Sequence, residues 1–403
     1  MIQQPAPRNG PSLRKSAPDA IVVGGGPAGA AFALELARNG HRITLLERTL
    51  SAHHKVCGEF LSQETQRALA ALGIGTTALG ATRIADFRLV KGERHATTRL
   101  PFKAAGLSRL RLDEALLSAA EAAGVEVLRG MRVTNLAATD DGVIVETETH
   151  KWRAPLAALA TGKHSLRGLP RPHGSMVGFK LHLDSSSAQR ALGGVVQLAF
   201  FPGGYMGACL VEDQTLSIGW VMEDGVLRSV GADWPAQSAY LARQSSLIAD
   251  LLAGARPHFA KPVATAAIPY GFLRKTPIAP AVYPIGDQLA VVPSFTGDGL
   301  AIALSSGVAA ARAVLERKPA AVFQKEFIAR LTPQFRVAAA LGRLLQTPAT
   351  CTIAVAAAQI LPVLATKMVA ATRLKGFEIL PAPNNFVTAV NYRERNSNIS
   401  QVN

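Results

Sequence analysis

Residues 19–48 read DAIVVGGGPAGAAFALELARNGHRITLLER. A short apolar run breaks at three glycines, helical spacing follows through Phe32, Leu34 and Leu36, and a second apolar run from Arg42 to Leu46 ends at Glu47. Strand, tight turn, helix, strand is the context in which a G-x-G-x-x-G spacing signifies a dinucleotide. Gly24 permits the turn, Gly26 lets the backbone approach a pyrophosphate, and Gly29 lets the helix pack closely on the sheet, with Ala28 in the phosphate-facing first turn. The free N–H groups of that helix then point at the phosphates. Glu47, followed by Arg48, stands where an acid accepts hydrogen bonds from an unphosphorylated ribose 2′-hydroxyl. A glycine-rich turn without a ligand is the plain alternative. The expected fold is α/β, built on a doubly wound, Rossmann-like domain.

The chain has 403 residues, 48% of them hydrophobic, which suffices for two or three globular domains. Lys and Arg exceed Asp and Glu by 43 − 28 = 15. Such an excess suits anionic lipid headgroups, acidic carrier proteins or phosphorylated substrates, or is simply a basic, solvated surface. The basic residues are scattered and form no nucleic-acid-binding motif, so no nucleic acid partner is expected. Cys57, Cys209 and Cys351 are far apart and lack C-x-x-C spacing. That argues against disulfides and structural zinc, and for a reducing, cytoplasmic setting. Residues 1–18 are rich in Pro, Arg and Gln and carry no signal-peptide apolar core; they and the polar residues 382–403 are expected to be disordered tails.

Far downstream, YPIGDQLAVVPSFTGDGLAIALSSG (283–307) sets a strand ending in Gly286-Asp287, then Pro293, then Gly297-Asp298-Gly299-Leu300 opening an Ala-rich helix. A helix start there offers N–H donors and a positive dipole end to an anion. A buried strand, a turn and a core helix would read the same way in isolation. The stretch resembles the second FAD motif of the p-hydroxybenzoate hydroxylase and geranylgeranyl reductase superfamily. The resemblance implies FAD as cofactor, with Asp287 on its ribityl chain and Gly286, Pro293, Gly297, Gly299 and Leu300 around it. SRLRLDEALLSAA (108–120) resembles the family's R-x-x-L-D-x-x-L helix, which implies Arg109 as an FAD contact; an amphipathic surface helix is the alternative. LATGKHSLRG (159–168) departs from the Ala-Asp-Gly-x-x-Ser of the hydroxylase branch, with Thr161 in place of the aspartate. One dinucleotide fingerprint, not two, implies that NAD(P)H or an electron carrier visits transiently to reduce the flavin.

The loop HHKVCGEFLS (53–62) follows the second strand. Its KVCGEFLS resembles the Cys-Gly-Glu loop of archaeal geranylgeranyl reductases, which implies that Cys57 lies near the flavin ring. Lys55 and the neighbouring histidines would activate the thiol as a proton donor or relay. Cys57 as a small packing residue is the competing reading. His53, His54 and Cys57 match no standard ligand spacing, so no metal is expected. Glu59 is expected to serve as a salt-bridge or backbone-capping residue.

From about residue 168 to 275 short alternating runs (MVGFKLHLD, GVVQLAFFPGGYMGACLVED, TLSIGWVME) read as an inserted antiparallel substrate sheet. FFPGGYMG resembles the reductase and halogenase branches, where this sheet bounds the substrate cavity. Phe200, Phe201, Tyr205, Met206 and Trp220 either line an apolar pocket or form the core of the sheet. The expected organisation is an FAD domain of residues 19–167 and 276–320, a substrate sheet of 168–275 and C-terminal helices over 321–381. ATCTIAVAAAQILPVLATKMVAA (349–371) is long enough to span a bilayer but is interrupted by Gln359, Pro362 and Lys367. It reads as a core helix, or as one covering the substrate channel or touching a membrane surface. The resemblance implies an FAD-dependent oxidoreductase acting on an apolar isoprenoid, polyketide or lipid-like molecule, reducing a carbon–carbon double bond. Monooxygenation is the first alternative. Halogenation is disfavoured because Trp152, Trp220 and Trp234 form no W-x-W-x-I motif, and a non-enzymatic lipid carrier is the reading from another class. Peripheral contact with the inner face of a membrane, or with an acidic carrier protein, is expected.

Overall fold

The computed structural model describes residues 17–374. Apart from Ala17 and Pro18, the two expected tails fall outside the described residues. Ala20–Val23 is the central strand of a five-stranded, all-parallel sheet ordered Val282–Pro284, Leu156–Leu159, Ala20–Val23, Ile43–Glu47, Glu126–Arg129. Every residue of Ala20–Val23 and of Ile43–Glu47 is buried, as parallel strands covered on both faces require. Alternation decides what each residue meets. Val22 joins the core shared with helices Pro27–Arg38, Arg109–Ala122 and Gly299–Leu315, whereas Ile21 and Val23 meet a three-stranded antiparallel sheet of residues 135–154.

The second sheet runs Arg256–Pro257, Met176–Asp184, Leu216–Glu223, Gly204–Leu210, Val195–Phe201, Thr82–Lys91, Arg94–Gly106, Phe60–Leu61. Two features differ from the sequence reading. The sheet is mixed, because Val195–Phe201 pairs in parallel with Thr82–Lys91. The hairpin of residues 82–106, assigned by position to the FAD domain, belongs to this sheet instead. Alternating apolar residues identify a strand, but they do not say which sheet edge it will pair with. Within the inserted region residues 224–252 form three short helices that pack on one face of the sheet.

The chain then forms helices Ala320–Gln346, Pro348–Ile360 and Pro362–Ala371. The continuous helix expected over 349–371 is broken at Leu361, which sits at φ −127°, ψ 71°. Pro362 has no N–H to continue the ladder and disfavours a helical residue before it. The two segments bend by 116°, and among the described residues no single helix is long and apolar enough to cross a membrane.

Candidate active site

The three fingerprint glycines answer to different constraints. A Cβ on Gly24 (φ 111°) would stand 2.4 Å from the Ala160 carbonyl oxygen, and one on Gly29 would stand 2.0 Å from that of Gly24. Both are required by the fold itself. A Cβ on Gly26 would meet only the Arg109 Nη2, at 3.9 Å. Gly26 therefore keeps open the space before the helix, whose N-terminus no side chain caps. A diphosphate fits that cradle, where N–H donors and the helix dipole face it.

Glu47 ends the second strand. Its Oε2 accepts from the Gly25 N–H at 2.9 Å, and its Oε1 from the Thr49 N–H (3.0 Å) and hydroxyl (2.8 Å). Burial raises its pKa, but Lys55 and these hydrogen bonds outweigh it and hold the carboxylate below its usual range. Arg48 is exposed at the strand end.

The second motif lies against the first. A Cβ on Gly286 would be 3.0 Å from Ala28, and one on Gly307 would be 2.3 Å from the Ala28 carbonyl oxygen. Gly286 (φ 58°) donates its N–H to Ser306 Oγ at 2.9 Å. Asp287 is half-buried and makes no hydrogen bond or ion pair within the described residues, which leaves its carboxylate for a ligand. Pro293 starts a short turn and Gly297 (φ 72°) ends it against Phe60. Nothing lies within 4 Å of a Cβ on Gly299, while Leu300 is buried. The helix that follows has no side-chain cap. Together these features match an extended cofactor with phosphates at the first motif and a polyol at the second.

Two residues here escaped the sequence reading. Arg373 is buried and pairs with Asp298 at 3.1 Å beside the start of this helix. Burial pushes the Asp298 carboxyl up to about 7, with Arg373 opposing. Gln288 donates through Nε2 to Thr161 Oγ1 (2.9 Å) and to the carbonyls of Gly162 (2.8 Å) and His164 (2.9 Å). Thr161 thus has a structural partner where the hydroxylase branch carries an aspartate.

Arg109 opens its helix and grips Asp113 one turn on with two bonds of 2.7 Å. Burial works against its charge, yet Asp113, and after it the neighbouring Cys57, hold its pKa above the ordinary value. Lys55 was expected to activate Cys57, but its ammonium pairs with Asp113 at 2.9 Å. The cation electrostatically coupled to Cys57 is Arg109. Cys57 Sγ also accepts the Glu59 N–H at 3.4 Å.

Glu59 (φ 55°) is fully buried and receives four partners. Arg109 N–H donates at 2.7 Å, Ser217 Oγ at 2.9 Å and His182 Nε2 at 2.7 Å, and Lys180 forms an ion pair. Burial alone would raise its pKa; Lys180 and His182 bring it down to about 2. Glu59 so ties the Cys57 loop to the sheet and to the Arg109 helix. His54 stacks on Phe259 (4.8 Å between ring centroids) and stands edge-on to His182 (4.7 Å). Burial pushes its pKa down to about 4, with His182 and Lys180 adding to the shift. The ligand atoms of His54, Glu59 and His182 lie within 4.8 Å of one another. The Lys180 ammonium already neutralises that carboxylate and repels a second cation.

One sheet face meets this loop. Register aligns Lys180 with Gly219 and Gly219 with Gly207, giving a strip without side chains between Lys180 and Leu198. A Cβ on Gly219 would be 3.5 Å from the Cys57 carbonyl oxygen and 3.8 Å from Gly58 Cα. On the same face Phe200, Tyr205 and Val221 form an apolar cluster with Phe295, Leu345 and Val355. The Tyr205 and Tyr270 hydroxyls meet there at Ser294, Tyr270 at 2.5 Å. Met206 and Trp220, grouped with Phe200 and Tyr205 in the sequence reading, face the other way. They are fully buried against the helices of residues 234–252, with Trp220 Nε1 donating to Gln237 at 2.8 Å. Adjacent residues on a strand point to opposite faces, so Tyr205 and Met206 cannot line one pocket.

Residues 18–165 match the profile of the FAD binding domain family. The chain is 28% identical to digeranylgeranylglycerophospholipid reductase 2 of Methanosphaera stadtmanae over 315 residues, 72% of this chain and 76% of that protein. It is 30% identical to squalene monooxygenase of Mus musculus over 167 residues, 37% of this chain but 29% of that protein, so it spans under a third of that relative's length. The solved structure of a flavin-dependent brominase shares the fold, with TM-score 0.73 at 15% identity over 89% of this chain and 94% of that one. Residues 18–165 thus form a domain of the FAD binding family, and over most of its length the chain is similar to a reductase of digeranylgeranylglycerophospholipids.

Proposed function

We propose that the protein reduces a carbon–carbon double bond in an apolar, isoprenoid- or lipid-like molecule. The observation that supports this reading is the placement of Cys57 on a loop whose backbone rests on the glycine strip, on the sheet face that carries the apolar cluster of Phe200 and Tyr205, with Arg109 electrostatically coupled to the thiol. FAD, when bound, supplies hydride transfer. The chain's own groups bind, orient and protonate. Gly26 and the helix behind it take the diphosphate, Asp287 takes the ribityl hydroxyls, and Glu47 faces the adenosine ribose. Cys57 delivers a proton to the carbon that does not receive the hydride, and water restores it. The apolar cluster holds the hydrocarbon and excludes solvent. Likeness to a reductase of geranylgeranyl chains over most of both proteins supports the substrate class. NAD(P)H or an electron-carrier protein reduces the flavin by transient contact.

Monooxygenation is the second reading, favoured by the likeness to squalene monooxygenase, which also names an apolar hydrocarbon. Anaerobic reduction of the holoprotein followed by mixing with geranylgeranyl lipids tests the choice. The expected result is reoxidation without oxygen and one saturated bond per flavin. Reoxidation only by oxygen, with an oxygenated product, would select the monooxygenase.

A further inference from the structure

The helix Pro348–Ile360 is apolar on both sides. Cys351, Val355 and Ala358 are buried against the cluster that contains Phe200 and Tyr205, while Ile353 and Ile360, seven residues apart on the opposite side, are 66% and 77% exposed. The bend at Pro362 adds Leu361 (57% exposed) and Val363 (66%) to the same corner. A helix of a water-soluble protein shows one apolar stripe; one that is apolar all round meets a second apolar phase. Large exposed apolar residues gathered at one place, rather than scattered, mark an interaction site.

The charge around this corner identifies the partner. From Phe327 to Phe377 the sequence contains no Asp or Glu, yet carries Arg330, Arg336, Arg343, Lys367, Arg373 and Lys375. Lys367 is exposed on the helix that follows the bend, and Arg343 is exposed in the last turn of the helix that leads into Pro348–Ile360. The strand Arg94–Gly106 runs along it, held by Gln359 Nε2 to the His95 carbonyl at 2.7 Å and Thr366 Oγ1 to the Arg99 carbonyl at 3.3 Å. That strand brings exposed Arg94 and Arg99, the latter 3.5 Å from Asp86. An apolar tip flanked by cations that outnumber the neighbouring acids Asp86 and Glu93 suits acyl chains under anionic headgroups. A second copy of the chain is disfavoured, since two such basic faces repel, and the whole chain carries +15.

We propose that this helical corner docks on an anionic lipid bilayer, with Ile353, Ile360, Leu361 and Val363 entering the acyl boundary and Arg94, Arg99, Arg343 and Lys367 at the headgroups. The proposal holds whichever redox reaction the site performs. Because the buried side of the same helix covers the Phe200 and Tyr205 cluster, docking would set that cluster one helix away from the lipid.

The test is sedimentation of the full-length, FAD-loaded protein with vesicles of equal parts phosphatidylglycerol and phosphatidylcholine, and with phosphatidylcholine vesicles alone. Binding to the anionic vesicles is expected to be at least about tenfold tighter and to weaken with salt. The Ile360→Glu/Val363→Glu variant alters exposed side chains only; it is expected to keep its flavin and melting temperature and to bind anionic vesicles roughly tenfold or more weakly. Wild-type protein that stays in the supernatant, or a double variant that binds as wild type does, overturns the proposal. So does a solution dimer dissolved by the variant, which would assign the face to a second copy, or vesicle binding seen only after residues 375–403 are deleted, which would assign it to that segment.

Discussion

Gly26 and Gly29 belong to one motif but fail differently when replaced. A side chain at Gly29 strikes the backbone of Gly24 and breaks the strand–helix packing, whereas one at Gly26 enters open space where the diphosphate belongs. Gly26→Val is therefore expected to fold and purify colourless, and Gly29→Val to accumulate as misfolded protein; flavin absorbance and thermal melting separate the two. Asp287→Ala is expected to weaken FAD binding by about 1–3 kcal/mol, as loss of a charge-assisted hydrogen bond does, measurable by titrating apoprotein with FAD. These positions were legible because their spacing is local and their chemistry is backbone chemistry. The partners of Glu59 were not. Lys180, His182 and Ser217 come from strands more than a hundred residues away, and no local signal marks a carboxylate that will meet them.

The strands of the inserted sheet could be read from alternation, but which of their two faces met the cofactor domain could not. Alternation gives period, and the choice of face needs the loop of Cys57 and Gly58 resting on Gly219. Trp220 follows from this: on the far face, it serves packing. Trp220→Phe is expected to lower stability by roughly 1–3 kcal/mol, by leaving the Gln237 Oε1 unpaired and a small void, with turnover per folded molecule unchanged. The start of the second-motif helix gives a pH-dependent case. The Asp298 carboxyl titrates near 7 when folded, above its ordinary 3.8, so the folded state holds a proton that the unfolded chain lacks between those values. Its contribution to stability accordingly declines as pH rises from about 4 to 7, and Arg373 limits the decline. Arg373→Ala is expected to cost roughly 3–5 kcal/mol at pH 8, where it strands a buried carboxylate, and less at pH 5, where Asp298 is protonated. Denaturant unfolding at the two pH values measures the difference.

The molecule is closed by contacts that cross it. Two motifs some 260 residues apart touch at Ala28, and the buried Glu59 binds the Cys57 loop, the Arg109 helix and the sheet into one unit. Glu59 titrates near 2 when folded against an ordinary 4.5, and His54 near 4 against 6.5. Both shifts favour the folded state at neutral pH. The share of His54 is lost as pH falls from 6.5 to 4, and that of Glu59 from 4.5 to 2, the latter on the order of 3 kcal/mol. Between about pH 6.5 and 4 the His54 loss is opposed by the Asp298 gain, so the net fall in stability is expected below about pH 4.5, where a Glu59→Gln variant should show a flatter profile. The fold was legible from two glycine motifs. The place of the hairpin of residues 82–106 was not, since pairing across a sheet depends on distant strands. The proposed function needs the loop, the sheet and the two motifs to hold the Cys57 thiol where it can give a proton, and one rate tests that directly. Reduced wild-type and Cys57→Ser holoproteins, both with full flavin, are mixed anaerobically with the alkene substrate and the flavin reoxidation is followed in a single turnover. The expected result is a rate about 10²-fold lower in the variant, the loss of a positioned proton donor, with flavin reduction by the donor unchanged. Equal reoxidation rates in the two proteins would contradict a catalytic role for Cys57 and reduce it to a packing residue.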